Sequence, residues 1–80
     1  MTPDFAARVA RQLGVKPTAA EPRSEMFEAW RDRVALAWER QQDWAEAQLA
    51  GDPSDTLAAL CRLRDAAIAD ANAYAIGTAA

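Results

Sequence analysis

Residues 24–51 read SEMFEAWRDRVALAWERQQDWAEAQLAG, and this stretch decides the fold of the chain. Phe27, Trp30, Val34, Ala37, Trp38, Ala45 and Leu49 fall on one broad face of a helical wheel, with Met26 and Trp44 at its edge. Glu28, Asp32, Glu39, Asp43 and Glu46 fall on the far side. Ser24 is a good N-cap, because its hydroxyl can accept from an unpaired N–H of the first turn. Gly51 is a good stop, because glycine enters the left-handed region without a steric penalty. The pattern predicts an amphipathic helix over about residues 25–50, on the order of 39 Å long at the usual rise per residue.

The flanks read the same way. After Gly51, the run Asp52-Pro53-Ser54-Asp55 supplies an acidic cap, a proline for the first helical position and an acidic first turn. A helix is predicted over about 53–76, with Leu57, Leu60, Cys61, Ile68, Ala71 and Ala75 on one face and Gly77 as its end. Before Ser24 lies a connector, residues 14–24, stiffened by Pro17 and Pro22. Thr18 to Glu21 matches a capping box there, but Ser24 is preferred as the start of the long helix. Residues 3–13 form a short helix: Thr2 caps it, Pro3 takes its first position, and Gly14 ends it with Val15 folding back. Phe5, Val9 and Leu13 recur every four residues on it, flanked by Ala6 and Ala10. No strand pattern is present. The expected fold is therefore all-α: one domain, residues 1–80, a short N-terminal helix followed by a long antiparallel helical hairpin.

Composition agrees with a globular chain of this kind. Of 80 residues, 51% are hydrophobic and 26% charged, which is too apolar for a disordered chain. The net charge of −3 argues against overall attraction to nucleic acid or an acidic membrane. No apolar run is long enough for a membrane span, and residues 1–13 do not read as a secretory signal. A single cysteine, Cys61, allows no internal disulfide, so the expected location is cytoplasmic. Alanine makes up about a quarter of the chain and arginine far outnumbers lysine, a bacterial or phage coding signature. A domain this small buries only about 60% of its unfolded surface. Self-association into a homodimer or higher oligomer is the expected help.

Four aromatic side chains are candidate partner-binding residues: Trp30, Trp38, Trp44 and Phe27, all on the long helix. Their plain role is core, under the N-terminal helix. Their functional role is as anchors, since tryptophan is enriched in binding hot spots, and Trp44 at the edge is the first choice. Two polar residues lie centrally on apolar faces, Gln41 and Arg64. A hairpin turning near Gly51 brings them to the same level, which predicts a polar core layer containing both. Such a layer can fix register or oligomer state; alternatively Arg64 snorkels outward, or contacts an anionic ligand in a groove between subunits.

Residues 9–18, VARQLGVKPT, resemble the first helix and turn of a helix-turn-helix DNA-binding motif. The following segment holds Pro22 and only one base, Arg23, where a recognition helix needs several side chains for phosphates and base edges. Cys61 has no histidine anywhere in the chain to act as its base, and reads as structural. The acidic residues of the long helix face outward among Arg31, Arg33 and Arg40, which suits a solvated face better than a metal site. Ala66 and Ala69 make a second low-profile side on the last helix. No catalytic set, metal site or cofactor motif is legible. The expected function is non-enzymatic: a small interaction protein of the assembly, adaptor or phage-inhibitor class, docking an aromatic-bearing helix on a larger protein. The alternatives are a helix-turn-helix-like DNA-binding regulator and a small anionic-ligand binder.

Overall fold

The structure, a computed structural model, describes residues 1–75. Those residues form three helices and no strand: α1 (Pro3–Leu13), α2 (Glu25–Leu49) and α3 (Ser54–Ala73). They make an elongated body of 41 × 23 × 17 Å.

Each helix end has a local cause. At α1, the Phe5 N–H donates to Thr2 Oγ1 at 3.2 Å, and Pro3 sits in the first turn. At α2, Ser24 Oγ accepts from the Phe27 N–H at 3.1 Å and donates to the Glu21 carbonyl at 2.7 Å. The capping-box alternative at Thr18 is not used for a helix; Thr18 Oγ1 accepts from the Ala20 N–H within the connector. Gly14 (φ 78°) and Gly51 (φ 73°) end α1 and α2 in the left-handed region. Beyond each, the chain bonds back to the helix, Val15 N–H to Ala10 O at 2.8 Å and Asp52 N–H to Ala47 O at 3.0 Å. These bonds satisfy carbonyls that a helix end leaves open.

α3 departs from the expected bounds at both ends. Pro53, not Asp52, precedes its first residue, and no side chain caps it. It stops at Ala73, with Tyr74 at φ −98°, while Ile76 and the expected stop at Gly77 lie outside the described residues. Tertiary contacts cluster at this end: Asn72 Oδ1 accepts from the Lys16 N–H, and the Tyr74 hydroxyl accepts from Arg33 Nη2.

α2 packs most extensively on α3, and α1 covers part of α2. Contacts between α2 and α3 pair rising numbers on one with falling numbers on the other. Arg33 reaches Asp70 (3.6 Å) and Tyr74 (3.2 Å), while Gln41 meets Arg64 (3.0 Å). The core sits where all three helices meet: Ala6, Val9, Ala10 and Val15 against Phe27, Trp30 and Val34, with Ala71 from α3. Small residues on α1 let it approach closely. Its packed stripe is therefore Ala6, Val9 and Ala10, with Leu13 beside it, and Phe5 stays 43% exposed at the stripe's edge rather than inside it.

The broad apolar face expected on α2 also splits. Its N-terminal half is buried under α1, but Leu49 is 90% exposed and Ala47 takes the buried position there. Two facing helices keep a seam close to 3.5 residues per turn, which drifts by ~20° per heptad against a straight helix. Over the 25 residues of α2 this drift carries the seam toward Trp44 and Ala47 and away from Leu49.

At Lys16 the connector is tied to both long helices by its backbone. Trp30 Nε1 donates to the Lys16 carbonyl at 3.1 Å, and the Lys16 N–H donates to Asn72 Oδ1 at 2.8 Å. Trp30 itself is 1% exposed, and Phe27 packs beside it with ring centroids 5.5 Å apart.

Three outcomes follow for stability. Trp30→Ala should cost about 3–5 kcal/mol, a large share of a small domain's total stability, measured by urea unfolding. Asn72→Ala should cost about 1 kcal/mol and speed hydrogen exchange at the Lys16 amide more than elsewhere in the connector. A Cβ at Gly51 would meet no atom within 4 Å, so Gly51→Ala should cost about 1–2 kcal/mol from backbone conformation alone. D-alanine at the same position should restore the loss.

Candidate functional site

The four aromatic candidates separate into two pairs. Trp30 and Phe27 lie in the chain's own core, under α1 and the connector. A docking anchor has to be reachable, so both leave the set of partner-binding residues. Trp38 and Trp44 are half-buried on the following turns, Trp38 next to the last residues of α1.

Trp38 lines an open groove of about 490 Å³ with Gln12 and Leu13 from the end of α1, Gln41 and Gln42 from α2, and Arg64, Asp65 and Ile68 from α3. The groove exists because α1 stops at Gly14 while α2 and α3 continue past it. Leu13, Trp38 and Ile68 also pack against the core and supply the smaller, apolar part of a lining that is mostly polar.

Arg64 is the cation of this groove. Its Nη1 donates to Gln41 Oε1 at 3.0 Å, while Nε and Nη2 donate to Asp65 Oδ1 at 3.2 and 3.1 Å. Its guanidinium carbon lies 5.5 Å from the centroid of the Trp44 ring, within cation–π range. Arg64 and Gln41 thus sit at one level, but not as a core layer. No polar residue among those described is buried, and the Arg64 side chain is 24% exposed. The physical reason is the cost of burying a guanidinium: the side chain emerges at the groove's edge, where Gln41 and Asp65 accept from it.

Gln12, Gln42 and Asp65 escaped the reading of periodicity. Each is an ordinary polar residue on a helix flank, indistinguishable in sequence from a solvated position. Only the place where α1 ends brings them to one groove. Arg33 was read as one of the solvated charges. It instead stacks over Tyr74 at 4.5 Å and bonds its hydroxyl, pairing with Asp70 as well, and so fastens the end of α3 to α2.

The other candidates fall in plain positions. Cys61 is half-buried and free. Glu28, Asp32, Glu39, Asp43 and Glu46 are exposed, and no metal-holding group of His, Cys, Asp and Glu occurs among the described residues. No helix among them is long and apolar enough to cross a membrane. After Gly14 the segment 14–24 is not helical, so the stretch resembling a helix-turn-helix has no second helix in the expected place.

No protein-family model, curated protein or solved structure matches the chain. The side chains themselves define what the groove can do. It offers carboxamides that both donate and accept, one oriented guanidinium, one carboxylate and a smaller apolar part, a set suited to holding a polar chain segment.

A double-mutant cycle should detect the central link. Gln41→Ala and Arg64→Gln, alone and combined, should show a coupling of about 0.5–1 kcal/mol in chemical denaturation, whereas Gln41→Ala paired with Arg33→Gln should be additive.

Proposed function

We propose that this chain is a small non-enzymatic interaction protein that docks on a larger protein through the C-terminal half of α2 and the adjoining groove. The observation that carries this reading is the division among the tryptophans. Trp30 is committed to the core, whereas Trp38 and Trp44 remain half-buried, Trp38 in the groove at the end of α1 and Trp44 beside Arg64. Large amphipathic side chains next to an oriented arginine make up the usual hot-spot composition. The inverse order of the α2–α3 contacts supports an antiparallel hairpin, which gives this surface a stiff two-helix support.

The reading includes self-association in a cytoplasmic setting. Leu49, Leu36 and Leu63 are 90%, 39% and 48% exposed, apolar surface that a second copy can cover. Light scattering behind a sizing column, over a range of concentrations, measures this directly: a mass of twice the chain or more is the expected result, and a concentration-independent monomer refutes it.

The docking surface is tested by affinity capture from cells that express the gene. Trp44→Ala and Trp38→Ala should each weaken recovery of a specific partner by about tenfold or more, the scale of a hot-spot residue, while the helical circular dichroism signal stays intact. Undiminished recovery with both variants would remove this surface from consideration. DNA binding is the competing outcome, and a salt-dependent mobility shift on duplex DNA would favour it.

A further inference from the structure

The hydrogen bonds that Arg64 makes within the chain use only part of its donors. A guanidinium carries one N–H on Nε and two on each terminal nitrogen. Nε, Nη1 and Nη2 each donate one bond within the chain, to Gln41 and Asp65. Nη1 and Nη2 therefore each keep one N–H without a protein acceptor. The bond from Arg64 also occupies Gln41 Oε1, which leaves the Gln41 Nε2 donors available. Asp65 and Gln41 hold the guanidinium plane while Trp44 lies beside it, so its orientation is set before any ligand arrives. One N–H on each terminal nitrogen is thus left to donate to the oxygens of an incoming carboxylate, the acceptor to which a guanidinium bonds most strongly.

The apolar part of the lining lies close to this point. Ile68 is one helical turn from Arg64, and Trp38 is one turn from Gln41. A carboxylate and an apolar group must then sit within about a turn's length, roughly 5.4 Å, of each other. The C-terminal residue of a polypeptide meets this condition, because its carboxylate and side chain spring from the same Cα. Its last peptide group then faces carboxamides, Gln12 and Gln42, which can donate to its carbonyl and accept from its N–H.

We infer that the groove captures the C-terminal carboxylate of a partner chain ending in an apolar residue, with Arg64 on the carboxylate and Leu13, Trp38 and Ile68 under the side chain. This rests on the docking reading above and names the part of the partner that enters. Asp65 partly neutralises Arg64 in the unbound protein. It is exposed, and it competes with the incoming carboxylate.

The test is a titration of the full chain followed by side-chain 15N NMR of the Arg64 Nε–H and the glutamine NH2 groups. The probes are an acetylated hexapeptide ending in leucine with a free carboxylate, the same peptide with a C-terminal amide, and isovalerate. The free-carboxylate peptide should shift Arg64 and Gln41 first, and the amidated peptide should bind at least about tenfold more weakly, as expected for loss of a charge-assisted pair. Arg64→Gln should abolish the difference between the two peptides. Arg64→Lys, which keeps the charge but not the fork, should retain only part of it. Asp65→Asn should tighten the free-carboxylate peptide by about threefold, the scale of an exposed ion pair. Unchanged backbone spectra outside the groove verify the fold of each variant.

Equal binding of the two peptides would overturn the carboxylate inference and leave the docking surface standing. Isovalerate binding as tightly as the peptide would overturn a polypeptide occupant and make the groove a small-carboxylate site. No shift at Arg64 with any probe at millimolar concentration would overturn the inference outright, while the capture experiment decides the docking surface independently.

Discussion

The backbone of Lys16, in the two peptide groups that flank its Cα, is the point on which the arrangement of the three helices depends. Its carbonyl accepts from the Trp30 indole on α2, and its N–H donates to the Asn72 side chain near the end of α3. One residue of the connector therefore touches both long helices through its backbone. The bond to the Lys16 carbonyl also satisfies the indole N–H of Trp30, a buried side chain on which an unpaired donor is costly. With Lys16 fixed, Val15 is drawn into the core and α1 is laid across the N-terminal half of α2.

That placement determines where the chain is open. α1 has 11 residues and α2 has 25, so α1 covers only part of the longer helix. Trp30 and Phe27 fall under the cover, whereas Trp38 falls at its edge, beside Leu13, and Trp44 lies about two turns further along α2. The groove forms at the boundary, with its apolar part shared with the core and its rim made of glutamines, Arg64 and Asp65. A guanidinium at such a rim keeps access to water and still has its plane held by neighbours. This suits recognition better than either full burial or full exposure.

The α2–α3 pair is fastened at two levels by arginine. Arg33 ties the end of α3 through Asp70 and the Tyr74 ring, and Arg64 ties the middle of α2 through Gln41 and Trp44. Alanine-rich faces between these levels permit close approach but carry little directional information. The polar and cation–π contacts therefore contribute to register, as single polar positions do in paired helices.

Helix existence and most helix ends were legible in the sequence because they are local. Ser24, Thr2, Gly14 and Gly51 act within a turn of their own positions, through bonds and backbone angles that neighbouring residues define. The level shared by Gln41 and Arg64 was legible too, because the turn near Gly51 sets it by counting. What periodicity could not give was which apolar residues are covered. Trp30 and Trp38 both belong to the face read from the wheel, yet one is core and the other lines a groove. Leu49 reads as buried and is open, and Phe5 lies at an edge. The end of α3 and the gathering of Gln12, Gln42 and Asp65 were equally hidden, since they depend on contacts between residues far apart in the chain. The sequence by itself determined three helices and the caps of the first two. Only the tertiary structure decided which faces meet, because burial depends on where a neighbouring helix ends and how the seam between two helices drifts along their length.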